Sequence, residues 1–295
     1  MEFSDLSYPY SVKKISLSNN ITLAFADEGI GGETILFIHG LASYMPAWKK
    51  NVYKLKNNFR CLAIDLPGYG KSSKGDYPVS MDFYSDIIIN FIDKLNLKEV
   101  VLAGHSMGGH ISIFTALKYP ERISSLIHAS PAGFETFTES EAKFLKETMT
   151  TEVLINNPVE QLKKNVQVNF YRMPADAEFM IEDRIAIRDS IDFISYCRTV
   201  TKSLHAMLDQ PVFDDLSKIR QPVLILYGEN DLLIPFREIH KELTTLKVAM
   251  SGKEKIPNSE LVMFPECGHF LPFEKPDEFN NEVEKFLFKK REYLF

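Results

Sequence analysis

Short runs rich in Ile, Val and Leu recur through the first half of this 295-residue chain, and stretches with helical spacing separate them. TILFIHG (34–40), FRCLAIDLPG (59–68), VVLAGHS (100–106) and SSLIHASP (124–131) lack polar alternation, so each reads as a strand buried on both faces. Between them, MDFYSDIIINFIDKLNL (81–97) and MGGHISIFTALKYP (107–120) carry apolar residues three and four apart, the spacing of a helix with one buried face. Strands alternating with helices predict βαβ units and a mostly parallel sheet covered on both sides, an α/β chain. The opening pair, SVKKISLS and ITLAFADEG, alternates apolar with polar and predicts an antiparallel hairpin at the sheet edge.

The rhythm stops after the sixth strand. From Phe134 to Val212 no strand-like run occurs, and the segment instead reads as helices broken at Pro158, Pro174 and Pro211. The sheet pattern resumes with QPVLILYGEND (221–231), a helix near 236–247, ELVMFPECGH (260–269) and a final helix over DEFNNEVEKFLFKKRE (277–292). KVAMSGKEKIPNSE (247–260) reads as a surface loop. The expectation is an eight-stranded sheet formed by 1–133 and 213–295, with 134–212 as a helical insertion.

A net charge of −6 excludes the basic field that a nucleic-acid partner requires. No apolar stretch approaches the roughly 18 residues of a membrane helix. The N-terminus has no basic region followed by an apolar run, so a signal peptide is not expected. Cys61, Cys197 and Cys267 lie far apart with no CxxC pair, which favours reduced, structural thiols and a cytoplasmic protein. Cys, His and carboxylate positions show no metal-ligand spacing, and neither a metal nor an organic cofactor is called for.

GHSMG (104–108) is the motif that carries chemistry. A chain of this composition would show G-x-S-x-G by chance about 0.05 times, so its context decides. Here it ends a buried strand and opens a helix, the setting of a nucleophile elbow. The turn forces Ser106 into an unfavourable backbone conformation and thrusts its hydroxyl out at the carboxyl end of the sheet, where the helix N-terminus favours negative charge. A serine needs a base, a group to orient that base, and donors for the developing charge. Of seven histidines, only His269 lies at a strand end late in the chain. Asp231, directly after VLILY, is the orienting acid; the rival position after the sixth strand offers only Glu135, a few residues too late. The order is then Ser106, Asp231, His269. The oxyanion donors are the backbone amides of Met107, next to the serine, and Leu41, in the turn HGLA after the third strand.

FIHGLA, DLPGYGKS (65–72), GHSMGG, GENDLLIP and CGHF, in this order, resemble the α/β-hydrolase superfamily over almost the whole chain. The resemblance implies that fold, makes Asp65 architectural and 134–212 a cap over the site, and points to the branch containing carboxylesterases, cofactor-free haloperoxidases and C–C bond hydrolases. Epoxide hydrolases and haloalkane dehalogenases use an aspartate at the elbow, which Ser106 argues against. C–C hydrolases usually carry a longer glycine-rich run after their HG than the HGLASYMPAW seen here. The function expected is hydrolysis of a small-to-medium apolar ester or thioester by water through an acyl-enzyme on Ser106. A C–C bond hydrolase of a vinylogous diketone and a ligand receptor on the same scaffold are the alternatives. Trp48, Phe134, Phe137, Phe170 and Tyr171 are the candidate substrate-binding residues.

Overall fold

The structure is a computed structural model and describes residues 1–18 and 20–292. Its sheet contains β1 (Lys13–Ser16), β2 (Thr22–Glu28), β3 (Thr34–Ile38), β4 (Arg60–Ile64), β5 (Val100–His105), β6 (Ile123–Ala129), β7 (Val223–Gly228) and β8 (Ser259–Phe264). The strand order is β1-β2-β4-β3-β5-β6-β7-β8. β1 and β2 form the antiparallel edge expected, and every pairing from β4 to β8 is parallel. All residues of β3, β5 and β7 are buried, because helices cover both faces of a parallel sheet.

The helices of the sheet layers are α1 (Lys49–Leu55), α2 (Met81–Lys94) and α3 (Met107–Lys118). Ser80 starts α2 by accepting the Phe83 amide at 2.9 Å. Between β6 and β7 the chain forms α4 (Glu139–Thr148), α5 (Thr151–Ile155), α6 (Val159–Gln167), α7 (Phe179–Ala186) and α8 (Phe193–Asp209), and no strand. Thr138 and Glu141 form a reciprocal capping box that begins α4. After β7 come α9 (Thr245–Lys255), α10 (Leu271–Glu274) and α11 (Pro276–Glu292). Helices α2 and α3 pack together on one face, and α1 packs with α11 on the other. Among the described residues no helix is long and apolar enough to cross a membrane.

The sequence misplaces one helix. Residues 236–244 form turns rather than a helix, so His240 is not helical, and α9 occupies much of the stretch expected to be a loop. Thr244 caps α9, whose buried face is only Thr245, Val248, Ala249 and Gly252. The apolar stripe is short, and Gly252 breaks it for a packing reason. A Cβ there would lie 2.2 Å from the Phe134 ring.

The site is positioned by the strand order. It reverses where β3 meets β5, and such a switch point opens a crevice at the strands' carboxyl ends. Ile38 pairs with Gly104, so the turns after β3 and β5 emerge side by side. β7 lies two strands from β5, with β8 beyond it at the edge.

Candidate active site

Ser106 joins β5 to α3 with φ 52° and ψ −115°, in the left-handed half of the map where a side chain is strained. Close backbone approach enforces the turn. A Cβ on Gly104 would stand 2.3 Å from the Gly108 carbonyl oxygen, and one on Gly108 would stand 2.2 Å from that of Ile38. The Ser106 amide donates to Ala129 at 3.0 Å, and its carbonyl accepts from Gly109, His110 and Ala132. The backbone is therefore held while the side chain remains half-buried at the wall of a cavity.

That cavity, about 590 Å³, lies between the strand ends and the helices α4–α8. Ser106, His269 and Leu41 line it. Asp231 lies behind His269, fully buried, and its Oδ2 accepts from His269 Nδ1 at 2.7 Å. Its Oδ1 accepts from the Leu233 and Ile234 amides at 2.8 and 3.0 Å. With Nδ1–H given to the carboxylate, a neutral His269 ring presents a bare Nε2, the form a general base needs. Met107 is the first residue of α3, where an amide has no acceptor within the helix. Gly40, beside Leu41, lies against the serine: a Cβ on it would be 3.2 Å from Ser106 Cβ.

Other histidines support this frame. His39 Nε2 accepts from the Leu66 amide, so the proton sits on Nδ1, which donates to the Gly40 carbonyl at 2.8 Å. Burial holds its pKa below the usual range. His105, inside the elbow motif, donates Nε2–H to the carbonyl of His269 at 3.0 Å, and its ring packs 4.8 Å from the His269 ring. Burial keeps it well below the ordinary histidine pKa, so it is a neutral brace for the His269 backbone. Sequence gave no hint of this contact, which spans 164 residues. Asp65 accepts from Tyr8, Met45 and Lys71 and knits the turn after β4 to that after β3. The three cysteines are free and buried, and burial pushes their thiols up, that of Cys61 to about 12 and that of Cys197 to about 11, far from a nucleophile's range.

Glu135 does not serve His269. Its carboxylate accepts from the Phe236 amide at 2.8 Å and from His240 Nδ1 at 2.5 Å, fastening the start of the helical segment to the chain after Asp231. Burial raises its pKa.

Of the five residues expected to contact substrate, only Phe137 lines the cavity. Trp48 is 1% exposed and lies in the core beneath the sheet, against Phe37 and Phe279. Phe134 packs over Gly252, Tyr227 and His128. Phe170 stacks on Phe270 at 5.5 Å, and Tyr171 points outward, 41% exposed. Trp48, Phe134 and Phe170 share a reason, since large rings fill the seams between layers where they bury most area, whereas Tyr171 lies at the surface. Aliphatic side chains instead make up much of the lining, and α8 supplies a stripe of them, Val200, Leu204, Met207 and Leu208, which recur at helical spacing toward the cavity. Arg184 of α7 is the single Lys or Arg among the described lining residues, alongside Glu135 and Glu238.

The sheet order and the strand-end serine are those of a hydrolase. Residues 33–276 match the family described as the alpha/beta hydrolase fold, and the chain belongs to it. It is similar to the 2-hydroxy-6-oxononadienedioate/2-hydroxy-6-oxononatrienedioate hydrolase of Burkholderia vietnamiensis, with 28% identity over 94% of each chain. Among solved structures it resembles a probable hydrolytic enzyme from Pseudomonas aeruginosa PAO1, with TM-score 0.86, 22% identity and 96% of each chain covered. It also resembles a thermophilic esterase from Thermogutta terrifontis, with TM-score 0.74 and 25% identity over 95% of this chain and 98% of that one.

Proposed function

We propose that this hydrolase cleaves a C–C bond in a vinylogous diketone, a 2-hydroxy-6-oxo-dienoate, through an acyl-enzyme on Ser106, and that 134–212 is the cap that shapes its substrate. The observation that carries this choice of bond is the similarity along nearly the full length of both chains to a hydrolase named for such a compound. This replaces ester hydrolysis as the first reading. Ester hydrolysis stays second, supported by the likeness to the Thermogutta esterase and open to the same residues.

The chemistry follows from the groups present. Moving the proton of the 2-hydroxyl to C5 turns the dienol into a 2,6-diketone with an alkene between C3 and C4. Ser106 Oγ then adds to the C6 carbonyl while His269 Nε2 takes its proton, and Asp231 stabilises the imidazolium. The amides of Leu41 and Met107 hold the oxyanion. On collapse, the C5–C6 bond breaks and its electron pair runs through the enone to the C2 oxygen, which takes the proton from His269. The released product is a 2-hydroxydienoate. Water, activated by His269, then frees the second product as a carboxylic acid and restores Ser106.

Arg184 is the cationic group that suits the substrate's carboxylate. A second carboxylate, as in the relatives' dioates, would find no second Lys or Arg among the described lining residues. These are mainly apolar, with a few neutral polar groups such as Thr136, Asn165 and Asn169 and the glutamates Glu135 and Glu238. The group on C6 is therefore apolar in this reading. The test is kcat/KM on three substrates: a 2-hydroxy-6-oxo-dienoate with an alkyl or phenyl group on C6, the corresponding dioate, and p-nitrophenyl butyrate. The apolar dienoate should exceed each of the others by about 100-fold, roughly 2.7 kcal/mol. Ester turnover without dienoate turnover would sink the C–C reading, and preference for the dioate would sink the apolar one.

A further inference from the structure

The turn that bears Leu41 is held from two sides. From the core, Asp65 accepts the Met45 amide at 2.7 Å, and His39 fixes the Gly40 carbonyl. Between them Ala42 sits at φ +53°, a conformation an alanine does not keep unaided. What grips that stretch comes from the helices above. The Ala42 carbonyl accepts from the Arg184 guanidinium of α7 and from the Tyr196 hydroxyl of α8 at 3.4 Å. Two residues on, the Tyr44 hydroxyl donates to Asp183 Oδ2 of α7 at 2.5 Å. The Tyr44 ring also meets Phe179 of the same helix, with centroids 6.2 Å apart.

We propose that α7 and α8 complete the oxyanion site: Asp183, through Tyr44, is a positioning residue that keeps the Leu41 amide aimed at the substrate oxygen. In this arrangement the cap sets the rate of acyl transfer as well as the shape of the pocket. With the helices lifted, the strained turn loses its outer supports and the second donor drifts. A misplacement of a fraction of an ångström matters, since one oxyanion donor is worth about 100- to 1,000-fold in rate. The proposal rests on Ser106 and Leu41 acting as described above, but it holds for an ester and a C–C substrate alike.

The test uses the full chain and a small alkyl fluorophosphonate, which reports on the serine and its oxyanion donors without needing the natural substrate. In Tyr44→Phe and Asp183→Ala, the limiting inactivation rate should fall about tenfold while the concentration for half-maximal rate stays constant. The double variant should be no slower than either single one, because both remove the same bond. Asp183→Asn, whose amide oxygen still accepts from Tyr44, should recover most of the rate. Tyr44→Phe deletes one oxygen atom and keeps the test alive if Asp183→Ala fails to fold. Unchanged rates, additive losses, or a loss confined to the half-saturating concentration would each overturn the proposal and leave the nucleophile reading intact. A wild-type protein that the probe does not label would overturn the nucleophile reading itself, and the proposal with it.

Discussion

The floor of the cavity and its roof are built by different means. The floor consists of the ends of β3, β5 and β7, strands buried along their whole length, and of turns whose shape is set by backbone against backbone. The roof is α4–α8, in which α4 buries only Leu145, α5 nothing, and α6 only Leu162 and Val166. Phe144, Val153 and Ile194 of these helices are about half exposed. Ladder register and glycine contacts leave the floor one arrangement, whereas the roof rests on side-chain stripes that tolerate exchange. In the proposed reading the floor carries Ser106, Asp231 and His269, while the roof shapes the acyl site and, through α7 and α8, braces the turn that bears Leu41.

The sharpest way to test that division is to remove the chemistry without touching the fold. Ser106→Ala should lower turnover at least about 10,000-fold, over 5 kcal/mol, and abolish fluorophosphonate labelling, with an unchanged urea midpoint. Asp231→Asn should lower kcat by a comparable factor, because the amide favours the wrong His269 tautomer, whereas Glu135→Gln should leave kcat within about threefold. Activity lost equally in both carboxylate variants would mean that the two acid positions share the role. The floor's rigidity is tested next by Gly108→Ala, whose methyl would press on the Ile38 carbonyl, a backbone atom that cannot step aside. It should cost about 3 kcal/mol or more in urea unfolding.

The same division explains what could be read from the sequence. Buried strands announce themselves by apolar runs, and the strand-end residues Ser106, Asp231 and His269 follow from the runs' positions. The contacts that brace them do not. His105 reaches the His269 carbonyl across the fold, and nothing local to either residue signals it. In the roof, ring size was a poor guide: Phe134 and Phe170 are core, while Leu204 and Met207 line the cavity. The pattern that would have found them was the apolar face of 193–209, read as directions around a helix rather than as a composition. Phe134 and Gly252 belong to one contact, the glycine leaving room for the ring against α9, and neither the ring's burial nor the helix under it shows in the local sequence.

A buried histidine in β6, between the floor strands β5 and β7, gives a smaller effect with a defined pH sign. His128 in β6 is fully buried, neither ring nitrogen has a hydrogen-bond partner among the described residues, and burial lowers its pKa to about 3. The folded state resists protonation that the unfolded chain accepts near pH 6.5, so His128 lowers stability progressively as pH falls from about 6.5 toward 3. His110, lowered to about 4 by burial, acts with the same sign. His128→Leu should add about 1 kcal/mol at pH 7 and about 2 kcal/mol more at pH 5, measured as urea midpoints across pH. An acid limb as steep as that of the wild type would show that other groups control it.

The smallest effects belong to the roof, and they decide whether it selects substrate by lining or by bulk. Phe137 stands at the cavity wall with its ring 5.3 Å from that of His240, whereas Tyr171 projects to solvent from the segment beside the His269 loop. Phe137→Ala should raise KM for the C6-apolar dienoate about tenfold with kcat little changed, because lost ring contact weakens ground and transition states alike. Tyr171→Ala, equal in the ring removed, should change neither constant by more than about twofold. If Tyr171→Ala matched Phe137→Ala, the roof would act through its overall packing, and the pocket's selectivity would not reside in the side chains that face it.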